Sequence, residues 1–468
     1  MQTIEVLQRL DKETKAEVYF VGGFVRDYLR RKKNDDLDVI VKNLSLRNVK
    51  KFLKRYGKAK EVKLCQTNDD FIISVMLFRA EGSNIEAQIT MPRRGKKQIP
   101  DSHNTLKQDV RFRDFKINCL YLPVNYKSRN DVIDLVGGVK DIAKRRLTAN
   151  GSPTERIKES PIRMMRAISL ASRTNYTIDR ELLDAIKANA NTIWKCPAEA
   201  IRKEFNTILM SRKPSRYLRL LKKTGLLSCI APEVNRCAGV KQDNRYHKYD
   251  VLTHLFYSVD NCDADLTIRL AALLHDVGKR KTKVENKNGS VSFHKHELVS
   301  HELADKFLHR MKYDRKTKMK VLFLVKMHMY HYTRDWTDQA VRRFIRKAGL
   351  DERYLNEKNI GNFPLFKLRA GERLGGGLKT IPVTDRQRDF ERRLIKVYKE
   401  STGLTIKDLA IDGNVVMETF RIEQGVQVGK LLNFLLDKVM ERPGLNNKLD
   451  LLKLALDYLH SGDKDESR

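Results

Sequence analysis

The chain has 468 residues, 41% of them hydrophobic and 32% charged, so it can bury several cores and is not a disordered polymer. Its 93 Lys and Arg against 59 Asp and Glu leave a formal charge of +34 at pH 7, which points to an anionic partner, nucleic acid first. No apolar run approaches the ~18 residues that span a bilayer, the start MQTIEVLQRLDKETK lacks a signal-peptide core, and the six cysteines never reach CxxC spacing. These features argue against a membrane partner and a disulfide framework. They predict reduced thiols and a cytoplasmic location.

In chain order, Val18–Val21, Leu37–Lys42, Phe71–Phe78, Ile85–Thr90 and Ile117–Leu122 have the composition and period of strands. Beyond Ser152 the texture changes. Ile162–Arg173, Glu181–Ala188, Ala198–Met210 and Arg216–Leu227 show helical apolar spacing, and a helical pattern resumes from His254 through Ala348. Gly375–Gly377 interrupts the stretch beyond it, and a last segment from about Leu404 ends in a polar tail. The expected class is α+β: a head with a small mixed β-sheet and helices, followed by an all-helical body.

The head carries the strongest local signal. The run Val18-Tyr-Phe-Val-Gly22-Gly23-Phe-Val-Arg26-Asp27 leads an apolar strand through two glycines into a helix. Glycines let a backbone approach phosphate closely, a helix start offers free N–H groups, and Arg26 adds a cation suited to a triphosphate. Asp36 and Asp38 come next, two residues apart and so on one face of the next strand. Two carboxylates so placed can share divalent ions, Mg²⁺ first, that activate a 3′-hydroxyl and neutralise departing pyrophosphate. Glu86, on a strand expected over Asn84–Thr90, is the candidate third carboxylate. Gly-Gly alone is usually a turn and Asp-x-Asp a solvated strand end; the two at this spacing are far more specific.

This head resembles the class II tRNA nucleotidyltransferases and bacterial poly(A) polymerases, whose first motif is GGxVRD followed by DxD. Arg113-Asp114-Phe115 with Asn118 resembles that family's RRDFxxN segment, which contacts ribose and phosphates of the incoming nucleotide. Asp134-Leu-Val-Gly137-Gly138 resembles its flexible DPFGG element. Glu159-Ser160-Pro-Ile-Arg163-Met-Met-Arg166 resembles EDxxRMxR, whose Asp and Arg select the base, and Cys196–Arg202 resembles the neck helix motif. Asp408–Gly413 and Gly425–Gly429 resemble the C-terminal tRNA-binding segment. Three positions depart from the pattern: Phe112 replaces the first Arg of RRD, Ala200 a neck Arg, and Ser160 the base-selecting Asp. C and A both present an exocyclic amino donor, so a serine there is a poorer acceptor than a carboxylate. Either Glu159 substitutes for it or Ser160 acts through water.

A second cluster lies further along the chain. His254, the adjacent His275-Asp276, His294, His296 and His328 recur along helical sequence, and several such positions with a His-Asp pair suit metal ligands better than core packing. The order resembles the HD superfamily of metal-dependent phosphohydrolases, whose minimal set is His, His-Asp and a distant Asp. The resemblance implies His254, His275 and Asp276 as ligands to a second, transition-type divalent metal. Leu368-Arg-Ala-Gly371-Glu372 occupies the place of the last Asp, so Gly371 offers no donor and either Glu372 stands in or a ligand is lost.

The resemblance implies domains at 1–150 (nucleotidyltransferase head), 151–240 (nucleotide-selecting neck), 241–385 (HD domain) and 386–468 (tRNA-binding tail). It implies addition of CMP and AMP from CTP and ATP to the 3′ end of tRNA. The alternatives are a poly(A) polymerase, a CC-only or A-only enzyme, and, from another class, an HD hydrolase of RNA ends. From Leu404 onward acids slightly outnumber bases, so the basic surface is expected elsewhere.

Overall fold

The computed structural model describes residues 2–66, 71–94, 99–286, 290–400 and 405–462. Two compact units form: residues 1–238 with 305–318, and residues 239–304 with 319–468.

The first unit begins with a seven-stranded sheet. Its strands are β1 (Glu17–Val21), β2 (Leu37–Lys42), β3 (Gly57–Gln66), β4 (Phe71–Ala80), β5 (Ala87–Thr90), β8 (Leu120–Pro123) and β9 (Ile133–Asp134); a separate two-residue hairpin pairs β6 (Arg93–Arg94) with β7 (Ile99–Pro100). The order across the sheet is β3-β4-β5-β2-β1-β8-β9. Only β2 and β5 run parallel, so the sheet is mixed, as expected. Alternation along β2 sends Leu37, Val39 and Val41 into a core with Val18, Phe20 and the helix residues Val6, Leu7 and Leu10. Ile40 points to the opposite face, into a smaller cluster with Val21, Val110, Cys119 and Tyr121. By the same alternation Asp38 shares that second face, whereas Asp36, expected on the strand, is exposed and immediately precedes β2.

Some expectations about the strands need correction. Strand β3 adds to the expected set; its Lys-Glu-Val-Lys-Leu alternation is mostly polar and is held by long antiparallel pairing with β4. The fifth strand begins at Ala87, so Glu86 precedes it rather than lying within it. Ile117 lies in a 3₁₀ turn, Lys116–Asn118, ahead of β8.

Helices Pro153–Glu159, Arg163–Thr174, Arg180–Asn189, Ala198–Leu209, Pro214–Lys223 and Leu226–Ile230 complete this unit. Gly225 (φ 82°) splits the helix expected over 216–227, since a left-handed residue cannot continue a right-handed helix. The body is not purely helical: β10 (Arg146–Leu147) pairs in parallel with β11 (Thr177–Ile178). Residues 305–318 join here through Arg310, bidentate to Glu233 at 2.8 Å, and Tyr313, whose hydroxyl donates to Asn206 at 2.5 Å.

The second unit is helical apart from a hairpin of β12 (Lys283–Glu285) and β13 (Val291–Phe293). Helices Val251–Asn261 and Pro364–Gly375 pack tightly: a Cβ on Gly375 would stand 2.4 Å from Ser258 Oγ. Helices Gly413–Phe420, Val426–Glu441 and Lys448–Gly462 surround Val416, Leu431, Leu435, Val439 and Leu451. Arg346 anchors them to helix Asp338–Ala348 by an ion pair with Asp437 at 2.5 Å. Among the described residues no helix is long and apolar enough to cross a membrane.

Candidate active site and metal centre

The turn between β1 and helix Gly23–Leu29 is built on Gly22, whose φ of 67° and ψ of −127° suit glycine alone. A Cβ there would come within 3.2 Å of Asp38 Oδ2, so the turn lies directly against the second carboxylate of the pair. Register explains this closeness, because Val21, the residue before the turn, is paired with Asp38 across β1 and β2.

Arg26, one turn into that helix, is buried. Its guanidinium is gripped by Asp27 at 2.5 and 3.1 Å and reaches Asn118 Oδ1 at 2.9 Å, which joins the first motif to the Arg-Asp-Phe segment. Asp27 also receives Arg30 at 2.7 Å and Asn34 at 2.9 Å. Asp114 is buried, accepts the Phe115 N–H at 2.8 Å and pairs with Arg166 at 2.6 Å. Arg113 is held by Asp109 at 2.9 Å and lies over the Tyr121 ring. Asp109, fully buried, also accepts from Arg93 and from the Tyr121 hydroxyl.

These charges converge on Asp38. Burial and the neighbouring Asp36 push its carboxyl up to about 6, against the pull of Arg113, Arg166 and Arg26. A carboxyl raised this way gains most from a cation that shares it with Asp36. The donor atoms are hard oxygens, the set that Mg²⁺ prefers. Glu86 is not gathered with the pair. It stands beside β2 by register but is exposed and ion-paired with Arg79 at 3.5 Å, and among the described residues no third acid closes within 4.8 Å.

The Glu159–Arg166 segment adjoins these residues through Arg166 on Asp114 and Arg163 on the Phe112 carbonyl. Helix Pro153–Glu159 ends at Ser160, and the next helix starts at Arg163. Glu159 Oε2 accepts from Arg163 Nη1 at 2.7 Å and from Arg156 Nη1 at 2.9 Å. Arg163 also donates to the carbonyls of Arg156 and Phe112, tying it to the segment that carries Arg113. Arg163's carboxylate partner is therefore Glu159. Asp109 and Arg156 stand outside the motifs legible in the sequence. The one signal for Asp109 is its i,i+4 spacing to Arg113, which a local ion pair uses.

The second unit gathers more than the three ligands expected. His254, His275 and Asp276 form one group, and Asp276, His296 and His328 form another; within each, the donor atoms lie within 4.8 Å and every residue is buried. Asp276 is common to both. Its Oδ2 stands 3.4 and 3.2 Å from His254 and His275 Nε2, and its Oδ1 stands 3.0 and 3.6 Å from His296 and His328 Nε2. His294 is exposed and takes no part. The Nδ1–H groups of His275, His296 and His328 donate to the carbonyls of Ala272, Phe293 and Val325 at 2.7–2.9 Å, so each Nε2 presents a lone pair inward. Nε2 atoms facing one another at 3.2 Å (His254 and His275) and 3.3 Å (His296 and His328) suit a shared cation. Asp276 is held well below the usual carboxylate range by His275, Lys279 and His254, although burial opposes this. Burial pushes His254 below the ordinary imidazole value, towards the neutral form that a ligand takes. This cluster has the composition to hold divalent metal.

Known proteins share this layout. Residues 18–148 match the family described as Poly A polymerase head domain, 175–237 that described as "Probable RNA and SrmB- binding site of polymerase A", and 247–361 the HD domain. The chain is 30% identical over 253 residues to the A-adding tRNA nucleotidyltransferase of Deinococcus radiodurans, covering 52% of this chain and 56% of that protein. It is 31% identical over 227 residues to a CCA-adding enzyme of Limosilactobacillus reuteri, covering 47% and 52%. These alignments thus span about half the length of the relatives. A 26% identical Multifunctional CCA protein of Cupriavidus metallidurans is matched over 79% of this chain and 88% of its own. In fold, the chain resembles the crystal structure of the Bacillus stearothermophilus CCA-adding enzyme in complex with CTP, with a TM-score of 0.64 at 18% identity over 99% of this chain and 98% of that one. The matches to a poly(A) polymerase head, an RNA-binding segment and an HD domain occur here in one chain and in that order.

Proposed function

We propose that the protein adds CMP and AMP to the 3′ end of tRNA, without a template, from CTP and ATP. The observation that carries this reading is the Asp36–Asp38 pair, set against the Gly22 turn and faced by Arg26, Arg113 and Arg166. Mg²⁺ ions held by the two carboxylates would activate the 3′-hydroxyl and neutralise the departing pyrophosphate. The three guanidinium groups bind the triphosphate and align its α-phosphorus opposite the attacking 3′-oxygen, so that the P–O bond to pyrophosphate breaks as the new one forms. Asp114 and Asn118 orient Arg166 and Arg26, and Gly22 and Gly23 leave room for phosphate.

C and A share an amino donor beside a ring acceptor on their pairing edge. The Glu159–Arg163 pair supplies a carboxylate and a guanidinium at 2.7 Å to match it, with Ser160 at its side. The names of the relatives and the +34 charge support a tRNA substrate. As proposed domains, 1–150 performs the chemistry, 151–240 selects the nucleotide, and 386–468 binds tRNA. The HD domain, 241–385, would hold a transition-type divalent metal, because imidazole nitrogens dominate its donors.

The test is incubation with tRNA truncated before its CCA end and each labelled nucleoside triphosphate in turn. Incorporation of C and then A is expected. Addition of A alone to a full CC end, or of long A runs, would replace this specificity with the A-adding or polyadenylating one. No incorporation with Mg²⁺ would refute it.

A further inference from the structure

The pattern His, His-Asp and distant Asp puts the last ligand of the HD centre at Gly371, and the packing shows why no side chain serves from there. A Cβ on Gly371 would lie 2.3 Å from Cys262 Sγ and 3.2 Å from the Ser258 carbonyl, so this face of helix Pro364–Gly375 is filled by helix Val251–Asn261 and the residue after it. The next residue is turned about 100° around the helix. Glu372 lines a cavity of ≈440 Å³ together with His296, Lys279, His247 and Arg369. Its side chain keeps 18% exposure, yet its Oε2 atom is buried and has no hydrogen-bond partner among the described residues; the Arg369 guanidinium stands 4.0 Å away. A buried carboxylate oxygen without a donor is costly unless a cation completes it.

We propose that Glu372 is the terminal carboxylate ligand of the HD metal centre, replacing the donor that Gly371 does not carry. The inference rests on the reading of the His254/His275/Asp276/His296/His328 cluster as a metal centre. Glutamate is one methylene longer than aspartate, which compensates for its shifted position on the helix. Its oxygens stand outside the two groups whose donors close within 4.8 Å, so the side chain reaches the ion by rotating across the cavity that it lines. Arg369, one turn earlier on the same helix, steadies the carboxylate from outside.

Co²⁺ alone is the probe, titrated into the full-length protein and followed by its visible d–d absorption and by calorimetry. Glu372→Gln, which keeps the shape and removes the charge, should lower Co²⁺ affinity by at least ~10-fold and change the absorption bands of the bound ion. The melting temperature of the metal-free protein should not fall. His275→Ala serves as the control for the centre itself. If His275→Ala abolishes binding while Glu372→Gln matches wild type in affinity and spectrum, the role of Glu372 is overturned and the metal centre stands. If the wild type binds no Co²⁺, both fall.

Discussion

Both units centre on a carboxylate, and its surroundings drive it in opposite directions. In the first unit Asp38 lies beside another acid, and its carboxyl is pushed up to about 6. In the second, Asp276 is ringed by four imidazoles and the Lys279 ammonium, 2.6 Å away, and is held far below its ordinary value. The difference lies in what each site lacks. The Asp36–Asp38 pair has hard oxygens whose burial and like charge outweigh the three nearby guanidinium groups, so it suits strongly charged, oxygen-seeking ions. The histidine cluster offers imidazole nitrogens around a single carboxylate, which suits a borderline metal.

The largest expected effect separates the two. Asp36→Ala or Asp38→Ala should reduce nucleotide addition by ~10³-fold or more while leaving Co²⁺ binding at the HD cluster unchanged. Parallel turnover and calorimetric assays check this. Near-normal incorporation by either variant would remove the polymerising-site reading. The reverse experiment uses Asp276→Asn, which takes the common carboxylate from both ligand groups. Metal affinity should drop by ~100-fold, with addition of C and A to truncated tRNA unaffected.

Base selection is the next effect in size. Glu159→Gln removes the charged partner of Arg163 and should cost ~1–3 kcal/mol of discrimination, one to two orders of magnitude in the preference for C and A over U and G. Ser160→Asp would sharpen selectivity if Ser160 is the acceptor and would leave it unchanged if Glu159 is. Competition among all four nucleoside triphosphates, with both variants beside wild type, decides between the two.

The raised Asp38 carboxyl predicts a smaller, graded effect. Its folded-state value of about 6 lies above the ordinary 3.8, so the metal-free site takes up a proton as pH falls through 6. Protons and Mg²⁺ then compete, and the half-saturating Mg²⁺ concentration should rise by up to ~10-fold per pH unit below that point. A Mg²⁺ requirement independent of pH between 5 and 7 would show that Asp38 does not bind the ion. The smallest effect is at Gly371: Gly371→Ala should destabilise the protein by ~1–3 kcal/mol through overpacking against Cys262, with Co²⁺ affinity intact. Denaturant unfolding beside Co²⁺ titration measures both.

Local patterns in the sequence determined a good deal. The alternation of β2, the Gly22–Gly23 turn and the Asp-x-Asp spacing need only backbone periodicity, which acts between near neighbours. The helical body, the change of texture after Ser152 and the adjacent His275-Asp276 pair are legible for the same reason. Tertiary structure decided the rest. Whether Glu86 joins the carboxylate pair depended on where β5 begins and on Arg79 across the strand pair. Arg163's acid partner depended on the turn at Ser160, and the orientation of Arg113 on a fully buried Asp109. Asp276 became common to two histidine groups only when helices distant in sequence brought His254, His296 and His328 around it. At the end of the pattern, Gly371 is filled by Cys262 while Glu372 opens onto the cavity. One residue of helical rotation makes that difference, and which face of a helix is filled is set by its neighbours rather than by its own sequence.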